Sequence, residues 1–156
     1  MILEQDKIFT IKKAKFYLPH YPEDSISNCI VGQQNYWDNW EGGALGKIDK
    51  YLNDNAVILD IGANIGSHTI YWVLERNAKK IYSFEPLPDT FEILKKNIEL
   101  NSLDDRVEIF SVGLSDEECK TTVSQYNIHN IGGTAFMKAP WGEFSFKTLD
   151  PAGKGE

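Results

Sequence analysis

Residues 57–66 of the chain read VILDIGANIG, an apolar run that ends in a turn containing two glycines. The nearly continuous apolar stretch over residues 56–61 is typical of a parallel strand buried on both faces, and it predicts a central strand. Helical spacing follows, which predicts a helix over residues 65–76 with Ile70 and Val73 against the sheet. The stretch therefore predicts a strand, a tight turn and a helix in direct succession.

The same alternation continues along the chain. Residues 80–84 predict a second strand, residues 88–101 a helix that opens at a proline, and residues 106–112 a third strand. Strands and helices in this order predict an α/β, Rossmann-like fold, with a parallel sheet, helices on both faces and right-handed crossovers.

The residues before this alternation are less regular. Residues 8–11 and 14–18 have β character, and a short helix is predicted over residues 43–52. We therefore divide the chain into a capping extension, residues 1–52, and a Rossmann-like ligand-binding domain, residues 53–156, which corresponds to the N-terminal half of such a fold.

Composition restricts the classes of function. The 156 residues are 42% hydrophobic, which suits one compact domain with its own core. A net charge of −7 argues against a nucleic-acid partner, because such binding depends on neutralising phosphates. No signal peptide or membrane-spanning run is recognisable, so we expect a cytoplasmic protein without membrane contact. Cys29 and Cys119 lack metal-ligand spacing, so no metal site is expected.

The two glycines of the turn have distinct expected roles. Gly62 permits a tight turn and the approach of a ligand to the backbone, and Gly66 allows the following helix to pack close to its strand. The N-terminus of that helix carries a partial positive charge, which suits the carboxylate of an amino-acid group. A tight turn without any ligand is the alternative.

Glu85 strengthens the case for a ligand. It ends the second predicted strand, about 20 residues beyond the turn, where an acidic residue meets a ribose diol in such folds. A carboxylate accepts hydrogen bonds from both hydroxyls. Pro86 then turns the chain away, so that Leu87 would form an apolar wall beside an adenine. The alternative is a solvated glutamate at a strand end.

The turn distinguishes between two nucleoside cofactors. A dinucleotide motif requires glycines where this chain has Asn64 and Ser67. Asp60 places a carboxylate just before the turn, which is unfavourable for a pyrophosphate and compatible with an ammonium group. The pattern favours S-adenosyl-L-methionine over NAD, and a nucleotide-dependent oxidoreductase is the alternative.

Several segments together resemble the FkbM-type methyltransferases over residues 53–150. They are residues 57–66 with Thr69, residues 82–86 (YSFEP), residues 95–101 (KKNIELN) and residues 148–150 (TLD). The resemblance implies a class I methyltransferase fold and methyl transfer to oxygen, on the hydroxyl of a sugar, glycan or small natural product.

The resemblance also implies a cofactor site. Gly62, Ala63 and Asn64 would hold the methionine end, Glu85 the ribose, and the residues after the third strand would lie beside the adenine. The full set of candidate cofactor-binding residues is Asp60, Gly62, Ala63, Asn64, Gly66, Glu85, Pro86, Leu87, Gly113 and Leu114.

No catalytic residue is predicted. The candidate general bases are His68, His129, Asp38 and Glu41, and none has a pattern that selects it. Nearby aromatic residues could cover the methionine end of a cofactor or pack the extension against the core; they are Tyr36, Trp37 and Trp40.

The end of the chain departs from the FkbM-type pattern. Those proteins continue into a fourth parallel strand with an acidic motif near the acceptor, whereas residues 151–156 lack strand character. We therefore expect a shortened, catalytically incompetent product, or a module that binds the cofactor without turnover. Residues 56–61 would form an apolar sheet edge, covered by the N-terminal strands, by residues 144–149 or by a second copy in a homo-oligomer.

Overall fold

A computed structural model describes residues 4–39, 43–116, 121–125, 129–130 and 135–138. In chain order its strands and helices are β1 (Ile8–Ile11), β2 (Ala14–Tyr17), α1 (Ser25–Gln33), α2 (Ala44–Ile48), β3 (Val57–Ile61), α3 (Ser67–Leu74), β4 (Lys80–Phe84), α4 (Pro88–Leu100), β5 (Val107–Phe110), β6 (Thr121–Gln125) and β7 (Ala135–Lys138). The predicted succession β3-α3-β4-α4-β5 is thus observed, and α3 is shorter at both ends than predicted.

The main sheet consists of β3, β4 and β5 in that order, all parallel. Both connections step across the sheet in the same direction, so crossovers of one hand place α3 and α4 on the same face. The helices touch there, because a Cβ built on Gly66 would lie 2.7 Å from Cδ1 of Leu94. This arrangement confirms the predicted parallel α/β, Rossmann-like fold. The expectation of helices on both faces is wrong for residues 57–110, because both crossover helices there lie on one face.

The opposite face of β3 differs from expectation. Val57, Leu59 and Ile61 are each 62% exposed. Side chains alternate between faces along a strand, and α3 and α4 cover only one face. Within residues 43–116, β3 pairs only with β4 and is an edge strand, as expected for residues 56–61. One of its faces is exposed, so the prediction of a central strand buried on both faces is wrong for this part of the chain.

The N-terminal elements share one hydrophobic cluster with the α/β unit. Phe16 of β2 and Ile30 of α1 are fully buried, as are Ile70 of α3 and Leu94 of α4. The strand predicted from residue 8 is confirmed, and the one predicted from residue 14 ends one residue early at Tyr17. Shared packing fixes the extension against helices α3 and α4.

The remaining described elements lie outside the main sheet. α1 begins after Asp24, whose Oδ2 accepts the Ser27 N–H at 2.8 Å, and neither this helix nor the antiparallel pair β6-β7 was predicted. The predicted residues 43–52 form α2 followed by a 3-10 turn, Asp49–Tyr51. Residues 144–149, one candidate cover for β3, lie outside the described residues. In the part of the chain that the structure describes, no helix has the length and apolarity needed to span a membrane.

Candidate functional site

The turn after β3 is tied to the end of β4. Gly62, Asn64 and Gly66 all have positive φ, at 82°, 51° and 87°. The N–H groups of Gly62 and Ala63 both donate to the carbonyl of Phe84, at 2.9 and 3.0 Å. Because this left-handed backbone suits glycine and asparagine, the sequence GANIG can follow the path without large strain.

Glu85 spans two backbone segments. Its Oε2 accepts the Asn64 N–H at 2.8 Å, and its Oε1 accepts the Leu87 N–H at 2.9 Å. The side chain is only 5% exposed, so the alternative of a solvated strand-end glutamate is wrong. Burial raises the pKa of the Glu85 carboxyl, the two backbone N–H groups oppose that rise, and the negative charge of Asp60 adds to it.

Asp60 lies beneath the turn in a polar network. Its Oδ2 accepts the Thr69 hydroxyl at 2.5 Å, and the Thr69 oxygen lies 2.9 Å from Oγ of Ser83. Burial raises the pKa of Asp60, while the Thr69 hydrogen bond and His68 oppose that rise. Asp60 is therefore part of an internal network, and direct contact with a ligand stays a prediction.

A cavity of about 320 Å³ opens beside the turn. Its lining residues are Ile26, Trp37, Gly62, Ala63, Asn64, Ile65, Ser67, His68 and Asn130. Three candidate cofactor-binding residues thus face one cavity, and the opposite wall comes from the N-terminal extension. Among the described residues, Oδ1 of Asn64 and Nε2 of His68 are buried without a hydrogen-bond partner. Such atoms mark polar positions that a ligand can satisfy.

The aromatic residues before α2 divide into two roles. Tyr36 is 1% exposed, makes edge-on ring contacts with Phe16 and Tyr71, and donates its hydroxyl to Glu75 at 3.1 Å. It packs the extension against the core. Trp37 instead lines the cavity, where its backbone N–H donates to Oγ of Ser67 at 2.8 Å. Trp40 lies outside the described residues.

The remaining candidate cofactor-binding residues lie after β4, after β5 and directly before α3. A Cβ built on Gly113 would lie 3.6 Å from Cβ of Pro86, so the ends of β4 and β5 meet there. Leu87 is 9% exposed beside them, whereas Leu114 is 49% exposed. Gly66 faces away from the cavity, and its close contact is with Leu94 of α4 rather than with β3 as expected. A side chain at position 66 would therefore disturb helix packing.

The residues weighed as general bases are dispersed. His68 lines the cavity, and no other of them does so within the described residues. Oδ2 of Asp38 accepts the Ala44 N–H at 2.7 Å and so fixes the start of α2. His129 is exposed, and its carbonyl accepts the Ser25 N–H at 2.9 Å. Glu41 lies outside the described residues.

Sequence periodicity did not reveal part of the cavity wall. Ile26 and Ser67 line the cavity although no periodic pattern in the sequence selects them, whereas Trp37 is one of the aromatic residues predicted as a possible cover for the methionine end of a cofactor. A hydroxyl in the first turn of the helix was the one local signal, since Ser67 directly follows the last glycine of the turn. Distant residues meet here through tertiary packing, which spacing along the sequence does not report.

Comparison with known proteins adds a family and several relatives. The sequence matches the TRM5/TYW2 methyltransferase domain over residues 30–128. The tRNA (guanine(37)-N(1))-methyltransferase Trm5b of Methanocaldococcus jannaschii is 39% identical over 66 residues, which are 42% of this chain and 19% of that protein. Methyltransferase sdnD of Sordaria araneosa is 38% identical over 64 residues, which are 41% of this chain and 25% of that protein.

A solved structure shows the same fold. The crystal structure of the M. jannaschii tRNA m1G37 methyltransferase is 25% identical and superposes with a TM-score of 0.50 over 72% of this chain and 32% of that chain. The chain spans less than a third of the length of these relatives.

Proposed function

The chain belongs to the TRM5/TYW2 methyltransferase domain family, and we propose that its S-adenosylmethionine lies between the turn after β3 and the end of β4, with a hydroxyl of a small molecule or glycan as methyl acceptor. Family membership confirms the predicted enzyme class and cofactor, an S-adenosylmethionine-dependent methyltransferase domain, and removes the oxidoreductase alternative. The observation that carries the site is Glu85, a buried carboxylate joined to the turn.

The residues present fit this cofactor. A Cβ built on Gly62 would meet no atom within 4 Å, so the backbone there has open space for a ligand. Glu85 retains further lone pairs beyond the two N–H groups that it accepts, and these can accept ribose hydroxyls. The paired negative charges of Asp60 and Glu85 favour a positively charged group nearby.

We assign four tasks to the chain's own residues. Glu85 would accept the ribose hydroxyls, and the meeting of Pro86 with Gly113 would form the adenine side. Asn64 Oδ1 would accept a donor at the amino-acid end, and Trp37 would close the cavity above the turn. When bound, the cofactor would supply a methyl group carried on its sulfonium sulfur. The acceptor oxygen would attack that methyl group in line with its bond to sulfur.

The acceptor is the finer part of the proposal. A net charge of −7 favours a small or glycan hydroxyl, because polyanion binding requires a positive surface. The resemblance to FkbM-type enzymes supports the same acceptor class and O-methylation.

A transfer RNA is the second candidate acceptor. The family and the 39% identity to a tRNA (guanine(37)-N(1))-methyltransferase favour it. Lys95 and Lys96 of α4 supply positive charge, but the surface depression that they line also contains three carboxylates, those of Asp89, Glu92 and Glu99. For this function a tRNA would have to reach the cavity beside Trp37. The cytoplasmic location predicted from the sequence suits both a tRNA and a small-molecule or glycan acceptor.

One experiment separates these possibilities. Release of S-adenosylhomocysteine is measured with hydroxylated small molecules, with oligosaccharides and with tRNA transcripts, each at matched ionic strength. Turnover with a hydroxylated compound supports the proposal, and turnover with tRNA alone replaces it with the second candidate. Tight binding of S-adenosylhomocysteine without turnover on any acceptor favours a module that binds the cofactor only.

A further inference from the structure

Asn97 is a fully buried polar side chain in α4. Its Nδ2 donates to the carbonyl of Ile65 at 2.8 Å, inside the turn after β3. Its Oδ1 accepts the backbone N–H of Tyr17 in β2 at 2.6 Å. One side-chain amide therefore joins three elements that are far apart in sequence.

Asn101 is the C-cap of α4, one helical turn beyond Asn97, and provides an internal comparison. Its Oδ1 accepts the Lys15 N–H at 2.8 Å, and its Nδ2 donates to the Lys15 carbonyl at 2.7 Å. Residues four apart share one face of a helix, so the side chains of Asn97 and Asn101 can both hydrogen-bond to β2. Asn101 makes no contact with the turn in the described hydrogen bonds, so only Asn97 connects the hairpin to it.

The Ile65 carbonyl lies between two residues whose backbone conformations define the path of the turn. Asn64, on one side, donates its N–H to Glu85, and Gly66, on the other, has a φ of 87° and is the N-cap of α3. Asn97 fixes the orientation of the peptide between Ile65 and Gly66, while Glu85 accepts from the peptide that ends at the nitrogen of Asn64. The turn is held between two side chains from neighbouring secondary-structure elements.

We propose that Asn97 is a positioning residue for cofactor binding. It acts through Ile65: by holding that carbonyl it keeps the Asn64 N–H directed at Glu85 and the Gly62 backbone directed at the cavity. The same amide fixes β2, so that the extension that supplies Trp37 and the turn keep one relative position. This inference rests on the cofactor site proposed above.

The test compares Asn97→Ala with Asn101→Ala in the full chain. Isothermal calorimetry measures S-adenosylhomocysteine affinity well below the unfolding temperature of each variant. Both variants lose hydrogen bonds to β2, so both should unfold at lower temperature than the wild type. Asn97→Ala should also weaken affinity by about 5- to 10-fold, since a buried carbonyl in the turn loses its donor, and Asn101→Ala by less than about 2-fold.

If Asn97→Ala does not fold, a second variant and a measurement on the wild-type chain test the same proposal. Asn97→Leu preserves the buried volume and enters the same comparison. The wild-type chain is also titrated with S-adenosylhomocysteine while NMR follows the side-chain amides of both asparagines, and the Asn97 resonances should shift while those of Asn101 stay in place.

The failures are distinguishable. A wild-type chain that does not bind S-adenosylhomocysteine overturns the proposed site itself. A wild-type chain that binds, with equal affinity for the Asn97 and Asn101 variants or with an unmoved Asn97 amide, leaves the site intact and refutes the positioning role.

Discussion

Oε2 of Glu85 lies 2.8 Å from the backbone nitrogen of Asn64, so the carboxylate that follows β4 supports the turn that follows β3. The same side chain accepts the Leu87 N–H with its other oxygen. Glu85 is therefore already oriented before any ligand is present. A ribose diol would add hydrogen bonds to a fixed acceptor, which reduces the conformational entropy lost on binding.

Replacing Glu85 with alanine should weaken S-adenosylhomocysteine binding by about 10- to 100-fold, because each charge-assisted hydrogen bond contributes roughly 1.5–3 kcal/mol. Stability should fall as well, since Asn64 and Leu87 lose their acceptor. Calorimetry and thermal unfolding measure the two effects. Glu99→Ala removes an exposed carboxylate from α4 and is the matched control. Equal affinity of the Glu85 and Glu99 variants would exclude Glu85 from the site.

The contribution of Glu85 to the free energy of unfolding should decrease as pH rises, which is opposite to the behaviour of a carboxyl group whose pKa is lowered by folding. The pKa of Glu85 is raised in the folded chain, so the folded state holds this proton more tightly than the unfolded state does. The stabilisation is fully present below the unfolded pKa, near about 4.3, and is lost as pH rises through the folded pKa. Urea unfolding of wild type and Glu85→Gln should give a free-energy difference that shifts against the wild type as pH rises. A difference that moves the other way contradicts the assignment.

Cofactor affinity should follow the opposite trend over that pH window. Ionised Glu85 and Asp60 attract a positively charged ligand, so S-adenosylmethionine should bind more tightly as pH rises. S-adenosylhomocysteine lacks the sulfonium charge and should show a weaker pH dependence. Calorimetry with both ligands at several pH values checks this, and identical profiles would remove the electrostatic contribution.

Two glycines offer a matched pair of substitutions. Gly62 and Gly66 have nearly the same positive φ, so alanine introduces a similar backbone strain at each, about 1–2 kcal/mol. Gly66→Ala also forces a Cβ to within 2.7 Å of Leu94, whereas a Cβ at Gly62 points into open space. We expect Gly66→Ala to lower the unfolding temperature more, and Gly62→Ala to lower S-adenosylhomocysteine affinity more. The reverse order would make Gly62 a structural turn residue only.

Trp37→Ala should weaken S-adenosylhomocysteine binding several-fold, because it removes an apolar wall of the cavity. Tyr36→Phe is the neighbouring control, since it removes only the hydroxyl that donates to Glu75. That variant should lose about 1 kcal/mol of stability and keep its affinity. Thermal unfolding and calorimetry on both proteins decide between a cavity wall and a packing role for Trp37.

The exposed face of β3 should promote self-association. Leu59 and Ile61 present adjacent apolar side chains, and exposed apolar sheet surface is prone to association between copies. Sedimentation velocity over a concentration series should show a growing fraction of oligomer, which Leu59→Lys reduces. Tyr51→Lys alters a residue that is 78% exposed but lies outside the sheet, and serves as the control. A monomer at all concentrations would contradict the expectation.

The sequence predicted the α/β succession well, because hydrophobic periodicity is a local property. Residues 80–84 were placed as a strand with the bounds that β4 has. The prediction that both faces of β3 are buried is wrong because the composition of an apolar run is the same whether or not a neighbouring element covers its second face. Periodicity could not place Trp37 beside Ser67 or Asn97 beside Ile65, since those contacts depend on how separate elements pack.

The buried hydroxyl of Thr69 has a consequence for strand alignment. Asp60 and Ser83 are direct partners across β3 and β4, and Thr69 contacts both from α3. A slip of one residue would turn Asp60 to the exposed face and leave Thr69 above Leu59 or Ile61, with its hydroxyl unsatisfied. The hydrogen bonds among these three polar groups are therefore compatible with only one register of β3 and β4. That register fixes where the turn after β3 begins relative to the end of β4.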